Sequence, residues 1–175
     1  MSRARVLANT MSSGGVIQVQ RTQFTGTNTI TTSAGTDTVF TDLTVNITPT
    51  STSSIIKLEA QIFGEHGLLA SGWNHIFFFY RDTTKLGHAA ASNRLVGVSM
   101  ITQTYSEAAG NADTTPECGM YSFFDSPSST SQITYKVGIT TRQGETFYLN
   151  RTEDDQDANY NERGISFISA TEIAG

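Results

Sequence analysis

Hydrophobic and polar residues alternate along much of this chain with a period of two. The pattern is regular over residues 39–47, 56–62 and 133–139. Successive side chains of a β-strand point to opposite faces, so such a stretch predicts a strand with one buried and one wet face. Shorter stretches at 16–20, 86–87, 95–101, 118–124, 147–149 and 164–173 raise the predicted total to eight to ten strands.

One apolar run, Ile76 to Tyr80, does not alternate and therefore predicts a strand that is buried on both faces. A single sandwich hides only every second side chain of a strand in its own core. Each Phe or Tyr buries about 150–250 Å², so the other set needs a second cover. Self-association supplies one, and Phe77, Phe79 and Tyr80 are the predicted core of the contact between copies.

The pattern as a whole predicts an all-β fold. No stretch has helical periodicity, and turn signals such as Pro49 and the segment 125–127 separate the strands. We expect an antiparallel β-sandwich, jelly-roll-like and self-associating, over residues 15–175. Residues 1–14 are polar and form a predicted N-terminal arm. The length of 175 residues fits one domain.

Composition narrows the function. The chain has 27 Thr, 18 Ser, 10 Phe and 6 Tyr, which favours strands and argues against disorder. Eleven basic residues against sixteen acidic ones give a net charge of -5, so no basic face for nucleic acid is expected. No run of 18 apolar residues exists, and membrane insertion is not predicted. The single cysteine excludes an intramolecular disulfide framework and suits assembly in a reducing compartment.

The densest charge cluster spans residues 153–162, which hold five of the sixteen acidic residues. Asp154, Asp155 and Asp157 are candidate calcium ligands, because Ca²⁺ prefers hard oxygen ligands at short spacing. The EF-hand spacing is absent, and a solvated acidic loop is the alternative. No other cofactor is predicted.

Other chemistry-bearing residues are scattered. His66, His75 and His88 fall in different segments, so a zinc site needs the fold to bring them together. Trp73 and His75 are candidate ligand contacts, since aromatic and polar side chains recognise sugars, although a core or subunit-interface role is the alternative. No nucleophile elbow or phosphate-binding loop occurs, and no catalytic residue is assigned. A hydrolase with paired carboxylates stays open.

An ordered set of motifs resembles virion structural proteins of marine and cyanobacterial bacteriophages. The similarity spans about residues 15–175. It rests on Ile47–Ile56 (ITPTSTSSII), Phe78–Gly87 (FFYRDTTKLG), Asp125–Pro127, Thr134–Val137, Tyr148–Arg151, Arg163–Ser166 and Glu172–Gly175.

The resemblance implies a non-enzymatic, trimer-forming jelly roll on the surface of the virion. With only 14 residues before the domain, a capsid decoration protein, head fibre or short appendage is expected rather than a long tail fibre. The arm, with Arg3 and Arg5, is the expected anchor to a major capsid or tail protein. Two alternatives stay open: a tail-fibre adhesin for host surface glycans, and a polysaccharide hydrolase.

Overall fold

The computed structural model of the chain describes residues 14–67, 74–101, 114 and 116–175. These residues form no helix, and hence none that could cross a membrane. They form ten strands: β1 (Val16–Phe24), β2 (Asn28–Thr31), β3 (Asp37–Ile47), β4 (Ile55–His66), β5 (His75–Arg81), β6 (Thr84–Leu86), β7 (Glu117–Asp125), β8 (Ile133–Thr141), β9 (Thr146–Leu149) and β10 (Ser166–Ile173). The prediction of an all-β chain is confirmed.

The strands form two antiparallel sheets. The larger sheet has the order β1-β10-β4-β9-β2, and β7 pairs with β4 in addition. Strands β10 and β9 pair with successive parts of β4, at residues 55–61 and 64–66, while β7 runs along its opposite edge. The smaller sheet has the order β3-β8-β5-β6. Neighbouring strands are therefore mostly distant in sequence.

The inner faces of the two sheets enclose one hydrophobic core in a sandwich-like arrangement. Leu58 and Ile168 contribute from the larger sheet, and Phe40, Phe77 and Tyr135 from the smaller one. The alternation read from the sequence accounts for this. In β4, for example, Ile56, Leu58, Ala60 and Ile62 are at most 1% exposed, whereas the residues between them are half-buried. Burial of apolar surface at about 25 cal/mol per Å² drives the two sheets together.

The aromatic strand β5 lies inside the smaller sheet, paired with β8 on one side and β6 on the other. Phe77 and Phe79 point into the core and are 0% exposed in a single copy of the chain. Phe77 packs against the rings of Phe40, Phe147 and Tyr121 at centroid distances of 6.0, 5.8 and 6.1 Å. The prediction that Phe77 and Phe79 form a trimer core is wrong, because the chain's own second sheet covers both.

The outward side of β5 is also covered without a second copy. Phe78 is 0% exposed: the Lys85 ammonium lies 4.0 Å from its ring centroid, and the Tyr80 ring meets it edge-on at 5.2 Å. Gly138 on β8 leaves room for the ring, since a Cβ there would lie 2.5 Å from it. Tyr80 is half-buried on this outer face, and its assignment to a trimer core stays a prediction.

Two segments differ from the sequence prediction. Residues 95–101 form no strand, only a bridge in which Ser99 O accepts a hydrogen bond from Phe77 N. Gly97 sits there against the backbone of Phe77, where a Cβ would clash at 2.6 Å. Strand β2 was not predicted, because its four residues include only one apolar side chain, Ile30, and so show no alternation. It forms because it pairs with β9.

Candidate functional site

A group of buried polar side chains closes one end of the core, where β4 ends and β5 begins. His66 is the last residue of β4 and His75 the first of β5, and Glu145 comes one residue before β9. All three are at most 4% exposed. The fold thus brings together two of the three histidines, His66 and His75, with ring centroids 4.1 Å apart. His88 is exposed and lies in a different part of the structure.

Hydrogen bonds orient both rings. His66 Nδ1 and Glu145 Oε1 are 3.1 Å apart, and His75 Nε2 accepts a hydrogen bond from Ile101 N at 3.1 Å. His75 consequently carries its proton on Nδ1 when it is neutral. Within the described part of the chain, His66 Nε2 and Glu145 Oε2 are buried atoms without a hydrogen-bond partner.

This cluster has the chemistry of an acid–base pair but not its accessibility. A histidine oriented by a carboxylate is an arrangement that general bases use. Here the side chains of His66 and Glu145 are 2% and 0% exposed, and the His66 ring packs on Phe147 at 4.9 Å. A substrate does not reach them in this conformation. The prediction of His75 as a surface contact for a ligand is wrong for the same reason, because the side chain is buried.

The acidic loop does not gather its carboxylates around a common point. Asp154 Oδ2 accepts a hydrogen bond from Gln156 at 3.0 Å, and Asp155 pairs with Arg163 at 2.5 Å. Among the described residues no group of three or more His, Cys, Asp or Glu side chains is placed to hold a metal ion. The structure therefore gives the candidate calcium ligands Asp154, Asp155 and Asp157 no shared site. Three other candidates, Trp73, Arg3 and Arg5, lie outside the described residues.

Residues of the motifs that resemble bacteriophage proteins contact one another in the structure through buried hydrogen bonds. We call each such group of hydrogen bonds around one buried side chain a clamp. In the first, Glu172 near the C-terminus is 0% exposed and accepts hydrogen bonds from the turn after β3. Its donors are Thr50 N and Thr50 Oγ1 at 2.7 Å, Ser54 Oγ at 2.6 Å, and Gln18 Nε2 at 2.6 Å. Burial alone would raise the pKa of Glu172, but these hydrogen bonds lower it to about 2.

The second clamp joins three other motifs around Asp125, which is 6% exposed. Arg81 Nη1 donates to both of its carboxylate oxygens at 3.0 and 3.1 Å, and Tyr135 OH donates to Oδ2 at 2.6 Å. Burial, followed by this hydrogen bond, raises the pKa of Tyr135. The clamp ties β5, β7 and β8 together and so connects the two sheets.

A third clamp holds the loop between β9 and β10. Asn150 has a positive φ of 62° and is 1% exposed. Its amide nitrogen donates to Phe24 O and Gly26 O at 2.9 and 2.8 Å, and its amide oxygen accepts from Ser166 Oγ at 2.7 Å. The motif residues Glu172, Asp125 and Asn150 thus hold strands of the fold together.

The outer face of the larger sheet carries several exposed apolar side chains. Val19, Met120 and Phe124 are 53%, 67% and 59% exposed. Pairing registers place Val19 and Phe124 in one cross-strand row, and Phe167 and Met120 in another four residues further on. We call Val19, Met120, Phe124, Phe167 and the half-buried Phe63 the outer patch. Strand β7 at its border pairs only with β4 within the described residues.

Comparison with protein-family models finds no match for this chain, and a search of curated proteins finds none either. Functional conclusions therefore depend on the geometry of the chain and on the resemblance of its motifs.

Sequence reasoning missed the polar residues of the interior. Glu145 follows a Gly and lies in no alternating stretch, so no local signal marks it. Glu172 does carry a signal. It shares the inward side of β10 with Ile168 and Ala170, and a charged residue at a core position predicts a buried hydrogen-bonding partner.

Proposed function

We propose that this protein is a non-enzymatic structural component of a bacteriophage virion, exposed on the particle surface as a trimer. The proposal rests on the motif resemblance. The main support from the structure is that the motif residues Glu172, Asp125 and Asn150 hold the fold together. Motif residues that stabilise the fold suit a protein whose role is to assemble into a durable particle.

We further propose that the sandwich is a jelly roll. Jelly rolls contain eight strands in two sheets, formed by two Greek keys, and occur in viral capsid and lectin domains. Counting β1 with β2 and β9 with β10 as interrupted strands leaves eight strands here. Their orders, β1/β2-β10/β9-β4-β7 and β3-β8-β5-β6, place early and late strands side by side in both sheets, as two interlocked Greek keys do.

The outer patch is the surface that we propose for contact between copies. It replaces Phe77 and Phe79 of strand β5, which the chain itself already covers. Exposed apolar residues as large as Met120 and Phe124 on one face favour association. In the part of the chain that the structure describes, β7 pairs with β4 on one side only, and an edge strand is a template for pairing with another chain.

This surface gives the first prediction. We expect Met120→Lys to raise the dissociation constant of the trimer at least tenfold, because it places a charge in a contact that excludes water. Sedimentation equilibrium over a range of protein concentrations measures it. Thr41→Lys, at an exposed position of β3 on the other sheet, is the control and should leave association unchanged. Equal association of Met120→Lys and the wild-type protein would contradict the proposed surface.

The virion assignment is tested on intact particles of the bacteriophage that encodes the chain. We expect peptide mass spectrometry to find the chain in purified virions, and a particle reconstruction to locate it on the surface in multiples of three copies. A virion preparation without the chain would reject the proposal.

The same particles test the proposed anchoring arm. A variant without residues 1–14 should remain folded, because the strands begin at Val16, but should no longer join the particle. Co-purification of this truncated protein with assembled virions would show that residues 1–14 are not the anchor.

A further inference from the structure

A shallow cleft of about 280 Å³ lies on the outer face of the smaller sheet. It is lined by Asp37 and Val39 of β3, Tyr80 of β5, Lys136 of β8, and Asp82 and Thr83 of the β5–β6 turn. Tyr80 and Lys136 are direct cross-strand partners, so the aromatic ring and the ammonium group lie side by side. Four of the six lining residues lie on strands, and the other two lie on the tight turn between β5 and β6.

Its polar groups are held in place by the protein itself. Asp37 accepts hydrogen bonds from Lys85 Nζ at 2.7 Å, Thr140 Oγ1 at 2.5 Å and Tyr80 OH at 2.9 Å. Burial alone would raise the pKa of Asp37, but these bonds lower it, so the group is ionised at neutral pH. Lys136 Nζ donates to Asp82 O at 3.0 Å, which leaves it further N–H donors.

The charge balance of the cleft decides the class of ligand. The lining holds two carboxylates, Asp37 and Asp82, and one ammonium group, Lys136. Lys85, outside the lining, neutralises Asp37 through an ion pair at 2.7 Å. An anionic ligand would meet both carboxylates, and a cationic one would meet the ammonium group of Lys136. A neutral molecule with several hydroxyl groups meets neither obstacle, since a hydroxyl donates to a carboxylate and accepts from an ammonium group.

We propose that this cleft binds one unit of a neutral saccharide. The ring of Tyr80 and the side chain of Val39 offer an apolar contact for the C–H face of a sugar, and Asp37, Thr83 and Lys136 offer hydrogen bonds to its hydroxyls. The volume of about 280 Å³ is just below that of ordinary ligand pockets, which begin at roughly 300 Å³, and suits a single sugar ring. This activity goes beyond the proposed structural role and does not depend on it.

The test uses the isolated full-length protein. D-glucose, D-galactose, D-mannose and N-acetyl-D-glucosamine are titrated separately, and amide chemical shifts are followed by NMR. We expect at least one sugar to bind with a dissociation constant in the millimolar range, with the largest shifts at Val39, Tyr80 and Lys136. No shifts with any of the four sugars, or shifts confined to other parts of the chain, would overturn the proposal.

Variants locate the site without disturbing the hydrogen bonds of Asp37. Thr83→Trp fills the cleft from an exposed turn and should weaken binding at least tenfold. Thr84→Trp adds the same side chain at the next exposed residue, outside the lining, and should change binding less than twofold. Lys136→Met should weaken binding about tenfold, and it decides the matter if Thr83→Trp fails to fold. If Thr83→Trp or Lys136→Met folds and still binds the sugar as tightly as the wild-type protein, the proposed site is refuted.

Discussion

Replacing Glu172 with Gln is expected to lower the free energy of unfolding at neutral pH by about 3 kcal/mol. The carboxylate is fully buried and accepts hydrogen bonds from Gln18, Thr50 and Ser54. A Gln side chain keeps one acceptor oxygen, but its amide nitrogen would face another donor. A buried donor without an acceptor keeps its desolvation cost. Urea unfolding of the wild-type and variant proteins at pH 7 measures the difference.

The pH dependence of the same variant gives a sharper result. The pKa of Glu172 is lowered from 4.5 to about 2 in the folded chain. Its contribution to stability is therefore complete above pH 4.5 and is lost as the pH falls towards 2. We expect Glu172→Gln to show a flatter loss of stability than the wild-type protein across this window.

Glu59→Gln is the matched control for Glu172→Gln. Glu59 lies on the neighbouring strand β4, faces outward and is paired with Lys57 at 2.8 Å with a side chain 39% exposed. Exposed ion pairs contribute about 0–1 kcal/mol, so this variant should keep the acid dependence of the wild-type protein. If Glu172→Gln lost stability at low pH as steeply as the wild-type protein, carboxylates other than Glu172 would cause the pH dependence.

The strands were predictable where the alternation was regular, as in β4 and β8. The inference from β5 failed for a specific reason. The sequence shows that strand β5 has apolar side chains on both of its faces. It does not show that Lys85 lies over the ring of Phe78. Long charged side chains cover apolar surface with their stems while keeping the charge solvated or paired. Lys85 and Tyr80 both reach across Phe78 to the carboxylate of Asp37, and no local pattern encodes that contact.

The candidate sites were harder to predict, because they depend on contacts between distant residues. His66 and Glu145 are 79 residues apart, and Tyr80 and Asp37 are 43 apart. A sequence pattern identifies the face on which a residue lies, but not which residue of another strand opposes it. The order of strands in a sheet determines which residues oppose each other. Neighbouring strands in this fold are distant in sequence, so that order cannot be read from local patterns.

Truncation of Phe77 to Ala separates the chain's own core from contacts between copies. We expect a loss of about 3–5 kcal/mol in the free energy of unfolding, which is typical of a buried Phe replaced by Ala. Phe77 is 0% exposed and packs on three aromatic rings of the same chain. The loss should be the same at every protein concentration, since no second copy takes part. Urea unfolding at two concentrations about 100-fold apart measures it.

Phe124→Ala is the matched control, because it removes the same side chain from the outer patch. Phe124 is 59% exposed, so the variant should lower the stability of a single subunit by less than about 1 kcal/mol. If the patch joins copies of the chain, the deficit of Phe124→Ala should instead grow with concentration, because association stabilises only the folded form that binds. The opposite result would contradict the proposed surface. If the loss of stability depended on protein concentration in Phe77→Ala but not in Phe124→Ala, the contact between copies would lie at β5.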